Sequence, residues 1–231
     1  MKRIALHALG VVTLVLAPEP AEAQTFWINE FHYDNTGPDS GEFVEVAAPA
    51  SFTDLASITL TLYNGGDGLP YGTHSLSTFT QGATQGGITL YSKAVPNLQN
   101  GAPDGLVLSQ PGTVHQFISY EGTFTGASGP AAGVTSVDIG IAQPATGAPI
   151  GSSLGLTGMG VKYSDFAWQT LNTATPGQFN TGQSAVPEPG AWALSAGAAL
   201  GAFALVRRRL ARARTGPEHP APATAKAGRR P

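Results

Sequence analysis

The chain has no cysteine, so disulfides and thiolate metal sites are excluded and the fold must rest on its core alone. Charge is scarce too, at 12% of residues. Between Gln24 and Ala185 the only lysines are Lys93 and Lys162 and there is no arginine, so two bases against eleven acids leave that stretch at −9. Such a surface repels phosphate backbones, which bind proteins largely through Lys and Arg, and nucleic acid is excluded as a partner. Divalent cations would be attracted instead. No Gly-x-Ser-x-Gly elbow occurs, and the two lysines cannot clamp a phosphate for nuclease chemistry. Outside the two ends no stretch keeps a helical period.

What is present in the middle is a run of short strand-like segments. Ile58-Thr59-Leu60-Thr61-Leu62-Tyr63 alternates cleanly, with aliphatics on one face. Phe26, Ile28 and, less cleanly, Phe31 share a stretch with polar Asn29 and Glu30. Residues 42–46 form a strand with one apolar face, and further strands are expected at 88–92, 106–109, 114–120, 153–156 and 166–170. Asn64-Gly65-Gly66-Asp67-Gly68, Gln85-Gly86-Gly87 and Asn100-Gly101 separate them with residues that tolerate positive φ. Short strands, glycine turns and no helices predict an all-β protein, an antiparallel β-sandwich over residues 24–185.

Both ends carry a different pattern. Lys2 and Arg3 precede an apolar stretch over residues 4–17, and Ala21-Glu22-Ala23 offers small residues for signal-peptidase cleavage before Gln24. Residues 1–23 thus read as a signal peptide, with an uncleaved anchor as the alternative. Near the other end, Val186-Pro187-Glu188-Pro189-Gly190 leads into sixteen uncharged residues, 191–206, followed by Arg207-Arg208-Arg209. As a helix those sixteen residues span ~24 Å against a hydrocarbon core of ~30 Å. Nine of them are Ala or Gly, so the helix suits a transient stay in the bilayer better than a permanent anchor. The arginines hold its end in the cytoplasm. Residues 210–231 are basic and rich in Pro and Ala, a composition that builds no core and predicts a disordered cytoplasmic tail.

The order Pro187-Glu188-Pro189, short apolar helix, then Arg207, Arg208 and Arg209 resembles the PEP-CTERM sorting signal of Gram-negative bacteria, over residues 186–209. The resemblance implies recognition by an exosortase in the inner membrane. The destination would be the cell envelope, the cell surface or the extracellular matrix, with exopolysaccharide a candidate partner. An ordinary C-terminal anchor is the alternative. The family usually ends soon after its arginines, whereas this chain continues.

Within the middle region, Ile28-Asn29-Glu30, His32-Tyr33-Asp34-Asn35, Gly41-Glu42-Phe43-Val44-Glu45, Asp54-Leu55 and Leu60-Thr61-Leu62-Tyr63-Asn64 resemble a lamin-tail-type domain. Asn100-Gly101-Ala102-Pro103-Asp104-Gly105 and Ser119-Tyr120-Glu121-Gly122 continue the likeness. Ile58 stands where that family often has tryptophan. The resemblance implies an immunoglobulin-like sandwich that serves as a structural or binding module. The chain is therefore expected to be an exported, non-enzymatic envelope protein with no catalytic residues and no required cofactor. The alternatives are a calcium-assisted polysaccharide- or protein-binding module, or an accessory domain of a secreted hydrolase or nuclease.

One cluster could hold a cation. Asp34, Asn35, Asp39 and Glu42 fall within nine residues around Gly37 and Gly41, and calcium takes irregular sets of hard oxygens. The spacing is not that of an EF-hand, and Asp and Asn also start turns by bonding their own backbone. His32 reads as a strand-end side chain bonded to a neighbour, and Trp27 and Trp168 as core.

Overall fold

A β-bulge near the start of the first strand sets the arrangement of the rest. The computed structural model describes residues 25–186 apart from Ala145. The expected leader with Ala21, Ala23 and Gln24 lies outside the described residues. So do the Pro187-Glu188-Pro189 motif, the membrane helix 191–206, Arg207–Arg209 and the tail. Among the described residues the strands are β1 Trp27–His32, β2 Phe43–Pro49, β3 Thr59–Asn64, β4 Leu69–Ser75, β5 Thr80–Gln85 and β6 Ile88–Ala94. They continue with β7 Asp104–Gln110, β8 Thr113–Tyr120, β9 Val137–Asp138, β10 Ser153–Met159, β11 Phe166–Leu171 and β12 Gln183–Ser184. The remaining regular elements are four single turns of 3-10 helix.

The strands make two sheets. One runs β11-β10-β1-β2-β6-β5, with β12 also beside β10, and the other runs β4-β3-β7-β8-β9. The all-β, two-sheet expectation holds. The antiparallel expectation needs one correction, because β12 on β10 and β9 on β8 are two-residue parallel additions. Both are made by segments that return along a sheet after crossing its surface.

In the β1–β2 ladder Ile28 faces Val46 and Glu30 faces Glu45, so Asn29 is the extra residue of a bulge. The bulge resets the two-residue period. Ile28 and Phe31, three apart, therefore enter the same inter-sheet core, which is why Phe31 joins Phe26 and Ile28 less cleanly in the sequence. Phe31 is fully buried and packs edge-on to Trp168 at 5.5 Å and against Tyr120 at 5.4 Å. Tyr33 stacks on Tyr120 at 4.2 Å. Each tyrosine takes its hydroxyl to a partner, Tyr33 donating to Glu121 Oε1 at 2.8 Å and Tyr120 to the Gln99 carbonyl at 2.5 Å.

Both outer faces are covered as well. On the five-stranded sheet Tyr63, Val107 and Phe117 form a second apolar cluster with Ala131, and Phe124 packs against it. Both Phe124 and Ala131 come from the segment that follows β8. On the larger sheet Trp27, Ala47, Ile88, Leu90 and Leu156 cluster with Ala185. Burial on both sides goes beyond the expectation of one apolar face for residues 42–46. Phe43, Val44, Glu45, Val46 and Ala47 are all buried. The missed strands β4 and β5 have sequences without alternation, Leu-Pro-Tyr-Gly-Thr-His-Ser and Thr-Gln-Gly-Ala-Thr-Gln.

Phe31 fills the centre of the inter-sheet core, so Phe31→Ala should lower unfolding free energy by ~3–5 kcal/mol. Denaturant melts of the two proteins measure the difference.

Candidate functional site

The most concentrated polar chemistry lies on the outer face of the larger sheet, under a strap formed by residues 172–186. The bulge sets Asn29 and Glu30 side by side on that face, and Glu45 lies across from Glu30 in register. All three are fully buried. Like charges opposite one another in a ladder are unfavourable, yet no cation bonds either carboxylate among the described residues. Backbone and side-chain donors from the strap and from β10 take that place.

Glu30 Oε1 accepts the Ser153 hydroxyl at 2.5 Å and the Thr175 N–H at 2.9 Å, and Oε2 accepts the Thr175 hydroxyl at 3.1 Å. Glu45 Oε1 accepts Asn29 Nδ2 at 2.9 Å, and Oε2 accepts the Gly177 N–H at 2.5 Å. Asn29 Oδ1 accepts Gln183 Nε2 at 2.6 Å, while Asn180 Nδ2 donates to the Leu156 carbonyl at 2.9 Å. The far end of the strap is held by the Ala83 N–H on the Gly177 carbonyl at 2.8 Å. Gly82 is required there, since a Cβ would sit 2.3 Å from that carbonyl oxygen.

Burial raises both carboxyls. Glu45 is pushed up to about 8, with its hydrogen bonds to Asn29 and Gly177 and the neighbouring Glu30 charge as smaller influences. Glu30 is raised for the same reason, opposed by Ser153 and Thr175. A raised carboxyl means that the folded state holds its proton more tightly than the unfolded chain does. The stability from that proton is fully present below pH 4.5 and is lost as pH rises towards about 8.

The loop proposed from sequence as a cation site is knit by its own hydrogen bonds. Asp39 Oδ1 accepts the Asn35 N–H at 3.1 Å, and Asn35 Oδ1 accepts the Ser40 N–H at 2.7 Å. Glu42 turns away and accepts the Asn97 N–H on Oε2 at 2.6 Å, while Asp34 faces Asn100 Nδ2 at 3.5 Å. The structure thus bonds Asn35 to Asp39 and gives Asp34 and Glu42 partners outside the loop, while the Asp39 charge still acts on Glu42. No group of three His, Cys, Asp or Glu side chains is poised for a metal among the described residues.

His32 has a defined role. Gln143 Oε1 accepts the N–H groups of Tyr33 at 2.8 Å and Asp34 at 2.9 Å, so its NH₂ faces His32 Nδ1, 2.7 Å away. That network makes Nδ1 an acceptor and puts the proton on Nε2. A metal on Nε2 would need the opposite tautomer.

Beside the strap lies a groove of about 460 Å³, lined among others by Glu42, Thr80, Ser92, Lys93 and Pro176. Glu42 is buried and its Oε1 has no hydrogen-bond partner. Lys93 carries no signal in the sequence beyond its rarity, and Pro176 reaches the groove only because the strap folds back. No protein-family model matches the chain, and no curated protein or solved structure is detectably similar to it.

Stability of the wild type should fall by a few kcal/mol between pH 5 and 8, and Glu45→Gln should flatten that slope. Thermal melts across this range give the comparison.

Proposed function

We propose that this chain is an exported, non-catalytic module of a Gram-negative cell envelope or matrix, sorted by an exosortase through Pro187-Glu188-Pro189. Signal peptidase would remove residues 1–23, and the inner membrane would hold the chain only until processing. The observation that carries the reading is the order of parts. The strap is pinned to the sandwich up to Ala185, whose N–H donates to Gln85 Oε1 at 2.9 Å. The sorting motif begins two residues later.

A lamin-tail-type, immunoglobulin-like identity is supported by where the motif residues fall. Ile28-Asn29-Glu30 forms the bulge of β1, Glu45 lies opposite it, and Leu60–Asn64 lies on β3 beside the β7 strand that Asp104-Gly105 opens. A structural role is supported by the use of the acids. Glu30, Glu45 and Asp104 each accept backbone N–H groups, Asp104 from Gly65 at 3.1 Å and Gly101 at 2.7 Å.

Processing is tested on envelope material by mass spectrometry. Mature protein should begin near Gln24 and lack everything after the motif. Peptides from residues 215–231 on surface-exposed protein would overturn the reading. Glu188→Ala should fold normally and remain in the inner membrane fraction.

The groove supports a second reading, binding of a hydroxyl-rich polysaccharide. Lys93 is one of two lysines in a −9 region and stands beside Thr80 and Ser92. Binding on a glycan array that disappears in Lys93→Ala would favour it, and an array without signal would remove it.

A further inference from the structure

The outermost strands of an open sheet present unpaired backbone donors and acceptors, and proteins usually blunt them with proline, charge, bulges or short length. Three of the four edges here are blunted. β4 contains Pro70 and lies against a register shift at Leu62/Tyr63. β5 has a register shift between Gln81 and Thr84, and its Ala83 N–H is taken by the strap. β9 is two residues long.

β11 has none of these devices. It pairs with β10 over six successive residues without a shift, from Ser153↔Leu171 to Gly158↔Phe166. Its sequence Phe-Ala-Trp-Gln-Thr-Leu has no proline and no charge. Beyond that ladder its first residue bonds back to the preceding turn, Phe166 N–H to the Tyr163 carbonyl, and Ala167, Gln169 and Thr170 are exposed. Two of the most exposed large apolar side chains bracket the ribbon: Ile150, 78% exposed, just before β10, and Met159, 49% exposed, at its end.

We propose that β11 is a docking edge for a second copy of this chain, the two β11 strands pairing antiparallel about a twofold axis. A twofold reverses the strand, so the end near Ile150 in one copy approaches the end near Met159 in the other. The contact is isologous, each copy presenting the same edge. Charge favours the same edge. Two domains at −9 repel over most of their surfaces, but residues 166–177 carry no charged side chain. The nearest acid, Asp165, is turned back onto the N–H groups of Val161 and Lys162 at 2.9 and 2.8 Å. In an antiparallel pair it lies near the uncharged Leu171-Asn172-Thr173 end of the other copy. The outward backbone groups of β11 gain partners without any rearrangement of β10.

The absence of cysteine makes the test direct, because any disulfide must come from an introduced thiol. Facing Cα atoms in an antiparallel pair are ~4.5–5.5 Å apart, within the span of a disulfide. Full-length chains carrying Ala167→Cys or Gln169→Cys, each alone and the two co-expressed, are oxidised in isolated envelopes and run on non-reducing gels, with the exposed site Ser77→Cys as control. At least one β11 variant should give a covalent homodimer that the control lacks. Adding Thr170→Lys should reduce that dimer to the control level while the melting temperature stays unchanged. Three results would each overturn the proposal: no dimer above the control, a dimer indifferent to Thr170→Lys, or cross-links only to a different protein.

Discussion

One extra residue in β1 governs the molecule. Because Asn29 stands outside the ladder pairs, Ile28 and Phe31 both point into the core, while Asn29 and Glu30 stand together on the outer face. The bulge also frees the Ile28 N–H from regular pairing. Gln116 reaches across from the other sheet and accepts it at 2.6 Å, so the defect in one sheet is repaired by a side chain of the other. The same residue that orients the aromatic core therefore creates the polar patch on which the strap lies.

That patch explains how a chain without disulfides holds its terminal segment. Residues 172–186 contain few large apolar side chains, and hydrophobic burial alone would fasten them weakly. Buried carboxylates supply acceptors for strap N–H groups, which would otherwise compete for water. The cost is desolvation of two neighbouring acids, visible in the raised Glu45 and Glu30 carboxyls. An amide at either position keeps one acceptor and loses the charge, so the acids bring pH sensitivity along with their bonds.

Much of the sandwich is legible in the sequence because alternation and turn chemistry are local. Leu60 and Leu62 announce β3, and Asn64 through Gly68 announces the turn after it. What is not legible depends on distant segments. β5 has no apolar pattern, since its Gly82 is shaped by contact with Gly177, nearly a hundred residues on. Glu30 and Glu45 look like solvated acids until the strap covers them. Asp34, Asn35, Asp39 and Glu42 are close in sequence and read as one site. In the fold Glu42 also accepts a backbone N–H from the segment after β6, a partner that local spacing does not reveal.

The distribution of charge follows from the same architecture. With only Lys93 and Lys162 available, the acids cannot be balanced by ion pairs, so each buried one is balanced by N–H groups. The remaining acids keep the surface negative, which opposes association between copies except where the surface is neutral. β11 and the start of the strap are such a surface. They are neutral because strap residues need N–H donors and small size for Glu30 and Glu45, which Thr175 and Gly177 provide without charge. The constraint that fastens the strap thus also leaves one edge of the larger sheet without the electrostatic protection found on the rest of the surface.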